Sequence, residues 1–213
     1  DPARAIQTKA VQDGDDWVIN GGKLWISGAD KAQFGLVFAR TANDKGRNGV
    51  TCFIVDTDTP GFAVRRIVHT LRSAHYATEL SFEDMRVPAS NILGELNKGF
   101  AIANDRLTKQ RIPYAAGCIG VAIKAQEMAL EYVPQRETFG APLSSRQSIQ
   151  WMLVDNEIDI KQSLWITLEA AAKAERGENF RKEAAMAKLV ATEAGGRVVA
   201  VSYTHLRAHE TAT

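Results

Sequence analysis

The hydrophobic period of this chain changes once, close to Pro88, and that change limits it to folds that join a sheet to helices. Before it, short apolar runs alternate with polar residues, as in half-buried strands. After it, apolar residues recur at the spacing of long amphipathic helices. Trp17-Val18-Ile19 and Lys23-Leu24-Trp25-Ile26-Ser27 flank Asn20-Gly21-Gly22. Asn-Gly is a strong hairpin signal, because a type I′ turn needs positive φ at both central residues, so a turn is expected there. Further strands are expected at 34–39, 50–55, 62–67 and 79–83, separated by polar segments such as 41–48 and 56–61. Short strands at this spacing, with no helix between them, point to an antiparallel β-barrel or sandwich.

Val87-Pro88-Ala89-Ser90-Asn91 reads as a linker. Phe100, Ala103, Leu107, Ala115, Ile119, Ala122 and Met128 then follow helical spacing towards Tyr132. Pro113 is expected to kink that run or to start a new helix, because it has no N–H to donate. A second helix is expected over 146–176, with Ile149, Met152, Leu153, Ile160, Leu164 and Leu168 on its apolar side and Gly177 as its stop. A third is expected over 181–199, where Gly195-Gly196 weakens the last turns. The expected fold class is therefore α+β: an antiparallel barrel or sandwich over 1–92, then an α-helical bundle over 93–199. From about Ala200 the alanine-rich pattern breaks, and 200–213 read as a separate tail.

Composition narrows the functional classes. The chain has 213 residues, 45% of them hydrophobic, which is enough for a sizeable core. A formal net charge of +1 lacks the basic excess that phosphate neutralisation requires, so nucleic-acid binding is not expected. No stretch approaches the roughly 20 apolar residues of a membrane span, and residues 1–12 lack the pattern of a signal peptide. Cys52 and Cys118 stand singly in apolar surroundings and read as reduced core residues of a cytoplasmic protein. His75 and Glu79 have metal-ligand spacing only on a helix, whereas this segment reads as strand, so no metal site is expected. There is no Gly-x-Ser-x-Gly elbow and no Gly-x-Gly-x-x-Gly after a strand.

Two segments carry residue types suited to chemistry. In Trp25-Ile26-Ser27-Gly28, strand alternation puts Trp25 and Ser27 on one face, an aromatic plane beside a hydroxyl that suit a flat heterocycle. A strand tryptophan is more often plain core. Arg136-Glu137-Thr138-Phe139-Gly140 offers a guanidinium and a hydroxyl to a phosphate, but the same residues would close an ordinary helix C-terminus. Arg111, beside Lys109, by itself reads as a solvated helix face.

Taken in order, these segments resemble the acyl-CoA dehydrogenase family. The resemblance rests on Trp17-Val18-Ile19-Asn20-Gly21-Gly22-Lys23-Leu24-Trp25-Ile26-Ser27-Gly28, then Leu80-Ser81-Phe82-Glu83-Asp84-Met85-Arg86-Val87-Pro88, then Gly99-Phe100. It continues through Arg111 with Ala115-Ala116-Gly117, and through Arg136-Glu137-Thr138-Phe139-Gly140 followed by Gln147. It implies a middle β domain and a C-terminal helical bundle, with FAD as cofactor. Trp25 would lie against the isoalloxazine, Ser27 would hydrogen-bond flavin N5, and Ile26 would present backbone to the ring edge. Arg136 and Thr138 would reach the pyrophosphate of a FAD held mainly by a neighbouring subunit, with Arg146 and Gln147 near its adenosine side. A homodimer or homotetramer is therefore implied.

Thr108 and Arg111 would lie where the family binds acyl-CoA, although many relatives carry aspartate at the Thr108 position. Lys45-Gly46-Arg47 would lie near the CoA phosphates or form a solvated loop. The implied reaction is α,β-dehydrogenation of an acyl-CoA thioester, with electrons passed to an electron-transferring flavoprotein. The resemblance also implies that the chain is an internal fragment, lacking the family's N-terminal helical domain and its later helices. Such a fragment is expected to bind FAD poorly. The family's alternative position for the catalytic base is Gln110 here, an amide, so no catalytic residue is expected in this chain. The tail resembles translated sequencing-adapter read-through. The competing readings are a flavin-dependent monooxygenase or nitroalkane oxidase on the same fold, or a non-catalytic acyl-CoA-binding module.

Overall fold

In the computed structural model, which describes residues 5–42, 48–69 and 76–204, the first half of the chain folds into one six-stranded sheet. Its strands are β1 (Lys9–Asp13), β2 (Asp16–Ser27), β3 (Phe34–Arg40), β4 (Val50–Asp56), β5 (Phe62–Val68) and β6 (Ala77–Pro88). They lie in the order β4-β3-β1-β2-β6-β5. The pairs are antiparallel except β1 with β3, which run parallel, so the sheet is mixed rather than wholly antiparallel. It is open, with β4 and β5 at its edges, and so is not a closed barrel. It nevertheless curls. The Trp17 ring on β2 and the Phe53 ring on β4 have centroids 5.8 Å apart, where flat strands three spacings apart would stand about 14 Å apart. That curl gathers Trp17, Ile19, Val37, Phe53, Phe82, Met85 and their neighbours into one core.

The turn expected at Asn20-Gly21-Gly22 does not exist, because β2 runs straight through it. The chain reverses instead at Gly14-Asp15, where Asp13 pairs with Asp16 and Gly14 has φ +64°. Gly14 takes the first central position of this two-residue loop, where a positive φ favours glycine. The two glycines inside β2 provide room. A Cβ on Gly21 would stand 2.8 Å from the Thr8 Cα, and one on Gly22 2.8 Å from the Leu80 carbonyl oxygen. Beside them β6 carries an irregularity at Glu83-Asp84 that Asn20 fills. Its amide donates to Asp84 Oδ1 (3.0 Å), and its carbonyl accepts from the Asp84 backbone N–H (2.8 Å).

The expected linker is also more than a connection. A short 3-10 turn, Ala89–Asn91, is followed by residues that run along the edge of β4. The Leu93 N–H donates to the Cys52 carbonyl (2.9 Å), and the Asn97 N–H donates to Thr51 Oγ1 (2.8 Å). An otherwise open strand edge is thereby satisfied.

The chain divides into two compact units, residues 1–105 and 106–213. Helix α1 (Gly99–Tyr132) starts in the first and runs on into the second, passing Pro113 there as one helix with no break at the proline. Pro113 is exposed, and the lost N–H is outweighed by Ala115, Ile119 and Ala122 packing into the core of the second unit. Helices α2 (Gln147–Glu175) and α3 (Arg181–Thr204) complete that unit. Gln126 of α1 donates to the Leu153 carbonyl of α2 (2.8 Å) and accepts from buried Asn156 (3.1 Å). Arg197 of α3 grips Asp159 of α2 through two bonds, of 2.9 and 3.0 Å. Gly195 interrupts nothing; it lets α3 approach Cys118 of α1, where a Cβ would meet the Cys118 carbonyl at 3.3 Å. The α3 helix runs past Ala200 without interruption, with Ser202 buried. Lys45-Gly46-Arg47, His75 and residues 205–213 lie outside the described residues.

Candidate functional site

Only four non-glycine residues among those described have a left-handed backbone, and two of them are the aromatic centres of the segments singled out above. Trp25 has φ +65° and Phe139 has φ +52°. A bulky side chain rarely adopts this region, because its Cβ crowds the following carbonyl.

Trp25 is the extra residue of a β-bulge. Leu24 pairs with Glu79 and Ile26 with Thr78, so Trp25 has no partner on β6. Simple alternation therefore fails at this point and does not place Trp25 and Ser27 on one face. The core alternative fails as well, since Trp25 is 60% exposed. Thr78 Oγ1 donates to the Ile26 carbonyl (2.8 Å), so that acceptor is already engaged. Ser27 is exposed, and a Cβ added to Gly28 would meet no atom within 4 Å. The strand thus ends in an exposed indole and an exposed hydroxyl beside open space.

Arg136 and its neighbours do not form a helix C-terminus. Helix α1 ends at Tyr132, whose carbonyl accepts from the Gln135 and Arg136 N–H groups (3.0 and 3.1 Å). Glu137–Thr138 and Ala141–Pro142 then form a small hairpin, β7 and β8. Phe139 and Gly140 make its turn, both with positive φ, as in a type I′ turn. Phe139 is 99% exposed at the tip. Arg146, which precedes α2, donates to the Thr138 carbonyl (2.6 Å), and its guanidinium lies 5.8 Å from the Phe139 ring centroid. Arg136 is exposed and Thr138 half-buried on this hairpin, and Gln147 is exposed at the first turn of α2. Thr108 is buried, while Arg111, three residues on along α1, is half-buried. Gln110 is exposed.

The structure therefore gathers the candidates into separate groups. Trp25, Ile26 and Ser27 share a strand end in the first unit. Arg136, Thr138, Arg146 and Gln147 share a hairpin and helix start in the second. Thr108 and Arg111 share a stretch of α1.

Two residues near the first group carried no signal in the sequence. One is Thr78. The other is Lys23, whose ammonium donates to the Phe38 carbonyl of β3 (2.7 Å) across the curl of the sheet. Burial pushes its pKa down to about 8. Among the described residues there is no cluster of His, Cys, Asp or Glu that would hold a metal ion, and no helix is long and apolar enough to cross a membrane.

Comparison with known proteins supplies the rest. Residues 1–85 match the family model of the acyl-CoA dehydrogenase middle domain, and residues 97–202 match that of the acyl-CoA dehydrogenase C-terminal domain. The mitochondrial short-chain specific acyl-CoA dehydrogenase of Rattus norvegicus is 38% identical over 193 residues, which is 90% of this chain and 47% of that protein. The solved butyryl-CoA dehydrogenase of Megasphaera elsdenii superposes with a TM-score of 0.90 at 36% identity, covering 97% of this chain and 55% of that one. A chain from a structure described as the electron transferring flavoprotein of Acidaminococcus fermentans gives a TM-score of 0.89 at 33% identity, covering 95% and 54%. The chain spans about half the length of the relatives it matches.

Proposed function

From the premise that the chain belongs to the acyl-CoA dehydrogenase family, we propose that it serves the FAD-dependent α,β-dehydrogenation of an acyl-CoA thioester. The observation that carries this reading is Trp25, an aromatic side chain kept exposed in a strained conformation beside an exposed hydroxyl. Such strain is retained where a side chain must be presented rather than packed. The donor set fits a flavin: an indole face suits the ring system, the Ser27 hydroxyl suits a ring nitrogen, and Arg136 with Thr138 suits a pyrophosphate.

FAD, when bound, supplies the hydride acceptor for the β-carbon. Trp25 would fix the plane of the ring and shield it from water, while Ser27 would orient it through one hydrogen bond. Arg136 would neutralise phosphate charge and Thr138 would add a neutral donor. Arg146, already braced on the Thr138 carbonyl, would hold the hairpin in place while Gln147 meets the adenosine side. As the family resemblance implies, we assign Arg136 and Thr138 to an FAD held mainly by a neighbouring copy, so that a second copy completes each site. Thr108 and Arg111 are assigned to the acyl-CoA side. No residue of this chain is given the proton-abstracting role, since Gln110 is an amide. The redox partner we assign is an electron-transferring flavoprotein.

The test is an FAD titration of the chain read by visible circular dichroism, measured as the change from free FAD when the ring is held in a fixed asymmetric site. Trp25→Ala and Arg136→Ala should each weaken binding by roughly tenfold, the loss of one stacking or charge-assisted contact, without altering the far-ultraviolet spectrum. Binding by the wild-type chain is expected to be weak, and a flavin signal at millimolar FAD that neither substitution reduces would overturn the reading.

A further inference from the structure

The bulge that presents Trp25 has a counterpart on the other side of β6. Leu24 and Ile26 flank Trp25 opposite the single step from Glu79 to Thr78. On β5, Val64 pairs with Leu80 and Arg66 with Glu79, which leaves Arg65 as an extra residue beside the same stretch. Thr78 thus pairs with Ile26 on one flank and Ile67 on the other, where both neighbouring strands have slipped by one residue. It is fully buried.

A bulge disrupts the ladder of backbone hydrogen bonds beside its extra residue. At this bulge the Ile26 carbonyl receives the Thr78 hydroxyl at 2.8 Å. Two residues further out, the Gly28 N–H donates to the Tyr76 carbonyl at 3.1 Å. These bonds close the segment that carries Trp25 and Ser27 on its C-terminal side. Without the first, Trp25 could relax out of the left-handed region, because its own side chain is too exposed to hold it there.

We infer that Thr78 is a positioning residue: its buried hydroxyl holds residues 25–27 in the bulged geometry that turns Trp25 and Ser27 outward. It does so through the backbone, so it acts on the flavin-facing residues without touching the flavin. The flavin part of this inference rests on the proposed function; the backbone part does not.

The variants are Thr78→Val, which keeps shape and removes the hydroxyl, and Thr78→Ser, which keeps the hydroxyl. Amide hydrogen exchange is read on the chain without FAD. Thr78→Val should speed exchange at residues 25–28 by about tenfold, the loss of one buried hydrogen bond, with β3 and β4 unchanged. Thr78→Ser should return it to the wild-type rate. Unchanged exchange at 25–28, an equal rise over the whole sheet, or failure of serine to rescue would each overturn the inference. The flavin circular dichroism of Thr78→Val is then compared with wild type at saturating FAD. A reduced signal, restored by serine, supports the positioning role. An unchanged signal alongside local loosening overturns it for the flavin. A flavin signal that Trp25→Ala and Arg136→Ala leave unchanged condemns the proposed function, while the exchange data still judge Thr78.

Discussion

At the scale of single residues, the candidate site is marked by backbone strain more than by charge. Trp25 and Phe139 both stand in the left-handed region, and both are exposed. Relieving the strain should therefore separate stability from presentation. Trp25→Gly removes a side chain that buries little and a conformation that costs on the order of 1 kcal/mol, partly offset by the freedom glycine adds to the unfolded chain. We expect its free energy of unfolding in urea to equal or slightly exceed that of the wild type, while flavin binding weakens at least as much as in Trp25→Ala. A destabilisation above about 2 kcal/mol would show that the indole is packed rather than presented. The type I′ turn at Phe139-Gly140 was open to sequence reading in its glycine but not in its phenylalanine, because an aromatic residue is a poor choice for positive φ.

At the scale of elements, α2 shows where periodicity succeeds and where it misleads. The helix lies where the spacing places it, and of the residues expected on its apolar side only Leu168 is exposed. Ile149 and Ile160 are buried as expected, whereas Leu168 is 46% exposed. The inward face also takes Asn156, Ser163, Thr167 and Ala170, while Trp151 and Trp165 point out at 62% and 69% exposure. Small residues permit close approach of helices, and the polar ones satisfy themselves, Ser163 on the Asp159 carbonyl and Thr167 on the Ser163 carbonyl. The two faces should respond oppositely to substitution. Ile160→Ala should cost about 2–4 kcal/mol, whereas Trp165→Lys should change the free energy of unfolding by less than about 0.5 kcal/mol. Denaturant titration of both variants checks the pair, and equal losses would contradict the orientation. The β2 misreading has a related cause. Asn-Gly signals positive φ, and a strand bulge that must accommodate a neighbour's backbone uses the same residues as a hairpin.

At the scale of the whole molecule, the shifts of Lys23 and Cys52 make stability depend on pH. Lys23 is held at about 8 in the folded chain against an ordinary value of 10.5, so the unfolded chain binds more protons between those values and stability rises with pH from about 8. Burial pushes the Cys52 thiol up to about 11 from 9.0, which makes the folded chain bind more protons above pH 9 and opposes that rise. Lys23→Met should remove the rise. The stability of wild type relative to this variant should increase from about pH 8 and level off near 10.5, as measured by urea unfolding at stepped pH. A difference that does not change with pH would mean that Lys23 keeps its ordinary pKa.

The sequence alone determined the division into sheet and helices, the approximate place of the three helices and of the longer strands though not of β1, β7 or β8, and the family. Those features depend on periodicity and on local motifs, which are written along the chain. Only the tertiary structure decided that the sheet is open and curled, that Asn20-Gly21-Gly22 continues a strand, and that α1 passes through Pro113. It also decided that Trp25 stands at a bulge, and it brought in Thr78, more than fifty residues away in the chain, to hold the strand end. These outcomes depend on which strand lies beside which and how closely. A residue's own neighbours in the sequence carry no record of that.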